Sequence, residues 1–440
     1  MSDRSVLRKL MRDLRNPLFR NGYALMANTA ITATLGMGYW LLATRFYTPE
    51  EFGRGQALIT AMRLFASLTA LGFVGALARF IPISGRRTGG VILRGYGMAA
   101  VTGGAAALGF LLTLPVWGDI YAVLGTPAMS LFFLGSVVVW AVFTLQDVAL
   151  TGLREAAWVP VNNLVFGLVK MGLLALLATR LPEGGIFVSW MIPTAIALVP
   201  INFLIFGILV PRHVRETEQT ARPPSLREMG RFLAGDFPGT LSMLAIVYLV
   251  PVLVAARVGE ATFGRFSMAH TLGCMIELLA MNMAVSLTVE GSFDRSMLAA
   301  NARRALKRAL MIITPIIGVA LVAAPLILTI FGSEFAVEGT MLLRLMALAV
   351  LPRVLIEIYL SSLRALGQAR RLALVQIGLA VLVLTSIMAL FPFVGVDAVG
   401  YGLLFSEILV ALLIFSSLRK ILRYGETGQP RVMRRSSEVA

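Results

Sequence analysis

Ten charged residues lie inside otherwise apolar stretches of this chain: Arg63, Arg79, Asp147, Lys170, Asp236, Glu277, Arg344, Arg353, Glu357 and Glu407. They are the side chains with which it could do chemistry. A charge inside a lipid-embedded helix is costly, so it faces the protein interior or a water-filled cavity and marks a ligand, ion or proton path. Lys170, Glu277, Arg353 and Glu407 fall near the middle of their stretches, where a long side chain reaches water least well. Arg79, Asp147 and Asp236 sit within about two turns of an end, where snorkelling is the structural alternative. Arg353 and Glu357 are four residues apart, share a helix face and can pair. Such a pair either neutralises itself or opens when an anionic ligand takes the arginine. Lys170 has no acidic residue in its own stretch. Its partner is another helix, a bound anion, or its own neutral form.

The elements that position these charges must be membrane helices. The chain has 440 residues, 58% of them hydrophobic and 14% charged, with a mean hydropathy of +0.83. Soluble domains carry about 25% charged residues, so a chain this apolar needs lipid as its solvent. The net charge of +16 would suggest nucleic acid in a soluble protein. In a membrane protein it reflects Lys and Arg gathered in cytoplasmic loops, and no nucleic-acid partner is expected. One cysteine, Cys274, excludes an intrachain disulfide, and two histidines, His213 and His270, argue against a His-based metal site. No metal and no cofactor is expected.

A spanning helix needs about 20 apolar residues. Twelve stretches qualify: 21–45, 55–81, 92–115, 128–151, 160–181, 186–210, 232–257, 262–289, 308–331, 340–364, 371–392 and 397–418. With the N-terminus cytoplasmic, 29 of the 39 Lys and Arg residues fall on the cytoplasmic side, five at the outer side and five within spans. That bias places both termini in the cytoplasm. The expected fold is an all-α polytopic membrane protein of twelve transmembrane helices in two six-helix lobes. Its parts are a basic cytoplasmic segment (1–20), an N-terminal lobe (21–211), a basic, Pro-containing cytoplasmic linker (212–231), a C-terminal lobe (232–418) and a basic tail (419–440). In the first segment, Val6, Leu7, Leu10, Met11 and Leu14 recur at helical spacing. They suit a short helix on the inner membrane face, and a disordered basic tail is the alternative.

The two lobes read as parallel repeats. Phe52-Gly53-Arg54 recurs as Phe263-Gly264-Arg265, an offset of 211. Asp147, Leu150, Leu153 and Arg154 recur as Glu357, Leu360, Leu363 and Arg364, an offset of 210. Six spans per repeat keep both in one orientation, with a cavity between them. Prolines 193, 200, 238, 251, 315, 325 and 352 interrupt spans and invite kinks. There is no G-x-x-x-x-G-K-[ST], so this chain does not itself draw on ATP, and Ser84–Gly90 (SGRRTGG) lacks that spacing. No outer loop clusters acids or histidines as a membrane transferase would, and no loop resembles a channel filter. A carrier remains.

RFYTPEEFG (Arg45–Gly53), LGFVGALARFIP (Leu71–Pro82), the run Phe331–Pro352 and SLRALGQAR (Ser362–Arg370) resemble Wzx-type polysaccharide flippases. These belong to the multidrug/oligosaccharidyl-lipid/polysaccharide exporter superfamily. The resemblance implies two lobes set as a V, alternating access, a cationic cavity, and export of a polyprenyl-pyrophosphate-linked oligosaccharide across a bacterial inner membrane for surface polysaccharide biosynthesis. Arg79 matches the arginine that ends the family's second helix. A pyrophosphate cannot cross hydrocarbon unaided, because desolvating a charge costs several kcal/mol. Arg63, Arg79, Lys170 and Arg353 are therefore the candidate anion contacts. Asp147, Glu277, Glu357 and Glu407 are candidates for ion coupling or for charge balance. The expected partners are the lipid-linked oligosaccharide, membrane lipids, and a polysaccharide polymerase with export proteins. The alternative is a cation- or proton-coupled small-molecule antiporter of the same superfamily, which predicts an acidic cavity. A major-facilitator carrier would carry an Asp ahead of Arg86-Arg87, which is missing. A lipid-linked-sugar transferase would need a catalytic cluster. A scaffold would not need charges at mid-membrane.

Overall fold

The computed structural model describes residues 17–181, 183–217, 228, 239, 241–293 and 298–423. The expected N-terminal surface helix, most of the linker 212–231, Asp236 and the tail beyond 423 lie outside them. Among the described residues the fold is helical, with no strand. The helices are α1 (Pro17–Phe46), α2 (Pro49–Phe80), α3 (Thr88–Leu112), α4 (Pro127–Gly152), α5 (Trp158–Leu177), α6 (Gly185–Phe203), α7 (Val210–Thr217), α8 (Val250–Ala255), α9 (Glu260–Phe293), α10 (Leu298–Thr329), α11 (Ser333–Leu366), α12 (Ala369–Val394) and α13 (Ala398–Arg423). Helical structure covers eleven of the twelve expected stretches, and the described part of the seventh, Leu241–Ala255, is helical too. By length and composition alone, six described helical stretches can cross a membrane, or seven if the pair Pro49–Leu68 and Gly72–Ile83, bent by 49°, is one span. One of the six, Ala369–Leu422, holds both α12 and α13. Large apolar side chains point outward, among them Leu112, Val116, Val322, Val337 and Phe393. A soluble surface would not carry so many, and this is a multi-pass membrane protein.

Local chemistry explains the motifs that stood out in the sequence. Within RFYTPEEFG, Thr48 caps α2. Its Oγ1 accepts the Glu51 N–H at 3.3 Å, Glu51 Oε2 accepts the Thr48 N–H at 2.8 Å, and Pro49 takes the first helical position. Within SLRALGQAR, Gly367 adopts φ 71° and ends α11; the Gln368 N–H reaches the Leu363 carbonyl at 2.9 Å and the Gly367 N–H that of Arg364 at 3.0 Å. α4 ends in a similar turn with Arg154 at φ 62° in the left-handed position.

Prolines also leave their mark. A π-helical turn, Leu204–Leu209, follows Pro200, and another, Ala245–Leu249, precedes Pro251. Pro325 in α10 has no N–H to give the Leu321 carbonyl one turn earlier. Arg344 of α11 donates from Nε to that carbonyl at 2.8 Å.

The chain divides into two compact units. Unit 1 is Met1–Ser267 with Ile330–Gly332, and unit 2 is Met268–Thr329 with Ser333–Ala440. In unit 1, α1 packs on α5, α4 packs on α2 and α3, and α6 packs on α5. In unit 2, α11 packs between α10 and α13, and α12 packs on α13.

Candidate functional site

Lys170 is buried within unit 1. Its Nζ lies 3.6 Å from the ring centre of Trp190 on α6, 4.5 Å from Tyr39 on α1 and 5.0 Å from Phe166, one turn earlier on α5. Among the described residues no carboxylate and no hydrogen-bond acceptor engages it. The cage is itself fixed. The Tyr39 hydroxyl donates to the Ile186 carbonyl at 2.9 Å and lies 2.9 Å from Ser189 Oγ. Trp190 stacks on Trp40 at 5.3 Å between ring centres and meets Tyr39 edge-on at 5.1 Å.

Arg63 on α2 shares this aromatic system. Its guanidinium carbon is 5.3 Å from the Tyr248 ring centre and 5.9 Å from that of Trp140, whose ring lies 6.0 Å from Trp190. Arg63 Nη2 donates to the Tyr248 hydroxyl at 3.4 Å, and Tyr248 is presented by the π-helical turn before Pro251. Arg63 and Lys170 are close enough for their charges to repel. Two further buried donors, Arg63 Nε and Trp190 Nε1, have no acceptor among the described residues.

Magnitudes decide what this arrangement means. A cation on aromatic faces gains about 0.5–2 kcal/mol. Burying an ammonium costs several kcal/mol. The cage therefore orients the Lys170 ammonium without neutralising it. Two cations and two donors unmatched among the described residues could engage an acceptor-rich anion beside flat apolar faces.

Unit 2 has the opposite character. Arg353 of α11 is almost fully buried and meets three carboxylates: Nη2 lies 3.3 Å from Glu277 of α9 and 3.1 Å from Glu357, and Nη1 lies 3.4 Å from Glu407 of α13. Glu407 Oε2 and the Ser361 hydroxyl, one turn beyond Glu357, have no partner among the described residues. The carboxylates engage both terminal nitrogens of Arg353, and its Nε has no hydrogen-bond partner among the described residues.

The remaining candidates lie elsewhere. Arg79 is exposed near the end of α2, with its guanidinium 5.7 Å from the Phe80 ring. Asp147 on α4 accepts from Asn163 at 3.3 Å. The fold thus joins Arg63 to Lys170, and Arg353 to Glu277, Glu357 and Glu407. Sequence reasoning passed over the aromatic surround. The available signal was the tryptophans: Trp40, Trp140 and Trp190, three of the five in the chain, lie within spans rather than at the membrane interface where Trp collects.

No family model and no curated protein sequence matches the chain. Solved structures do. An inward-facing multidrug resistance MATE family transporter of the MOP superfamily aligns with a TM-score of 0.69 at 13% identity, over 92% of this chain and 99% of the other. Lipid II flippase MurJ in an inward closed conformation aligns with a TM-score of 0.64 at 13% identity, over 92% and 90%. A MOP superfamily transporter from Pyrococcus furiosus, titled for the reverse polarity of its binding pocket, aligns with a TM-score of 0.58 at 13% identity, over 94% and 96%. These three structural neighbours are transporters or flippases, not enzymes. The chain has the fold of the MOP superfamily transporters.

Proposed function

We propose that this protein moves a polyprenyl-pyrophosphate-linked oligosaccharide across a bacterial inner membrane by alternating access, for surface polysaccharide biosynthesis. The observation that carries the reading is the buried Lys170 with the half-buried Arg63, both cationic, free of carboxylate partners among the described residues and set against aromatic faces. The cations replace the hydration of the pyrophosphate, and the flat rings suit sugar faces, while the polyprenyl tail stays in lipid. Arg79 at the end of α2 extends the cationic path. The fold shared with a lipid II flippase supports a lipid-linked cargo. Two six-helix lobes, both termini in the cytoplasm, and a polymerase with export proteins as partners complete the proposal.

A second reading, a cation- or proton-coupled small-molecule antiporter, draws on the three carboxylates around Arg353 and on the MATE architecture. The carboxylates also suit a flippase, as the group that exchanges a counter-ion. The site around Lys170 favours an anionic cargo.

The deciding experiment deletes the gene, extracts lipid-linked sugars and scores their sidedness in spheroplasts. The flippase reading expects an undecaprenyl-linked oligosaccharide held in the inner leaflet and loss of surface polysaccharide. Normal arrival in the outer leaflet would overturn it in favour of the antiporter. Arrival without polymerisation would point to a polymerase.

A further inference from the structure

The helical stretch Gly185–Thr217, which holds α6 and α7, outruns a membrane. It has 33 residues, and about 20 suffice to cross hydrocarbon. Its last turns, α7, therefore reach the headgroup layer. The exposed Trp158 at the start of α5 marks the same level. Glu155, one turn before Trp158, accepts from Arg212 Nη1 of α7 at 3.4 Å. α7 is fixed in this position. His213 is buried, with Nε2 3.2 Å from the Ile81 carbonyl oxygen. α7 also packs on α3 and on the turn Gly85–Arg87, which lies within the basic, Gly-rich SGRRTGG.

An open groove of about 470 Å³ runs along this end, lined by Gly207, Ile208, Pro211, Arg212, Arg215 and Glu216. One end of it is apolar. Gly207 lies in the π-helical turn Leu204–Leu209 and has no side chain to fill the notch. Phe203 and Ile208 beside it are exposed. The other end is basic. Arg212 is committed to Glu216 at 2.9 Å and to Glu155, so both carboxylates are matched. Arg215 is exposed, and among the described residues no carboxylate pairs with it. The same holds for Arg87, in the turn on which α7 packs.

An apolar notch beside unpaired guanidiniums, at headgroup depth, has the chemistry of an amphiphile with an anionic head. We propose that this groove binds an anionic phospholipid. Arg215 takes the phosphate, and Arg87 adds charge from the neighbouring turn. Phe203 and Ile208 carry an acyl chain. Arg212 stays with its carboxylates and walls the site, and His213 is a positioning residue that holds α7 against the Ile81 carbonyl. A zwitterionic lipid lacks the net charge, and a soluble phosphate lacks the chain. On the proposed topology this face lies in the cytoplasmic leaflet. The site is separate from Lys170 and does not depend on the cargo.

The test uses the purified full chain in detergent, with retained lipids counted by native mass spectrometry. Phosphatidylglycerol and phosphatidylcholine of the same acyl chains are the probes. Wild type should hold the first phosphatidylglycerol more tightly than phosphatidylcholine. Arg215→Gln should weaken it about fivefold, the worth of one charge near an anionic surface, and Arg215→Lys should keep most of it. Arg87→Gln added to Arg215→Gln should bring the loss to about 25-fold. Gly207→Leu keeps the charges, fills the notch and should also weaken binding. Arg180→Gln, an exposed arginine beyond the opposite end of α5, should change nothing. Equal binding of the two lipids, wild-type affinity in Arg215→Gln, or an equal loss in Arg180→Gln would overturn the site. Displacement of phosphatidylglycerol by inorganic phosphate at the lipid's own concentration would overturn the lipid in favour of a soluble anion. Should Gly207→Leu fail to fold, the exposed Arg215 and Arg87 variants decide alone.

Discussion

Gly53 and Gly264 hold matching places in the two copies of Phe-Gly-Arg, and in the folded chain they face each other. A methyl group on Gly264 would sit 3.2 Å from the Gly53 Cα and 2.9 Å from the Pro49 carbonyl oxygen. One on Gly53 would collide with the Glu260 carbonyl. The close approach lets Arg54 grip Glu260 with two bonds, Nε at 2.7 Å and Nη2 at 2.8 Å, with Glu183 3.8 Å away. The hydrogen bond to Glu260 raises the Arg54 pKa above its ordinary value. Both side chains are only about a quarter exposed. Glu260→Gln is expected to cost about 1–3 kcal/mol of stability, the range of a charge-assisted pair, and Gly53→Val more, because backbone must move. Thermal unfolding of the purified variants checks both. A Glu260→Gln protein as stable as wild type would show that the clasp contributes nothing.

Lys170→Met should separate stability from transport. The methionine fills the aromatic cage and removes an unneutralised buried charge, so the variant should gain about 1–4 kcal/mol. On the proposed flippase function, surface polysaccharide should fall to the level of the deletion. Matching expression levels and melting temperatures beside a surface polysaccharide assay tests this. A variant that is less stable and still exports would sink the anion-site reading.

Removing the arginine from the unit 2 cluster should act in the opposite direction. Arg353→Met leaves Glu277, Glu357 and Glu407 around a neutral side chain. The expected loss is about 3–5 kcal/mol, the cost of leaving buried charge uncompensated. Adding Glu407→Gln to that background should restore part of it. If Arg353→Met melts with wild type, the three carboxylates are already neutral and the arginine is not their counter-charge.

Arg344 and Pro325 should show strong coupling. Arg344→Met leaves the Leu321 carbonyl unmatched and should cost about 1–3 kcal/mol. With Pro325→Ala the helix regains its own N–H donor, and the arginine becomes dispensable. A double-mutant cycle by thermal unfolding should return a coupling of about 1 kcal/mol or more. Additive effects would show that Arg344 does not serve that carbonyl.

The length and apolar character of the stretches determined the helices from the sequence alone, because lipid forces every backbone polar group into local helical bonds. Asp147 and Glu357 could be matched as repeat counterparts from spacing alone. Their surroundings could not, because each is decided by side chains from other helices. Glu357 gains Arg353 in company with Glu277 and Glu407, 50 or more residues away on either side, while Asp147 meets Asn163, whose amide also reaches Asn28. Lys170 shows the same limit. The sequence showed that its own stretch holds no acid. Only tertiary packing of α1, α5 and α6 decided that its partners are Tyr39, Phe166 and Trp190. Helix formation is local and leaves a periodic trace along the chain, whereas neutralisation of a buried charge depends on which helices meet.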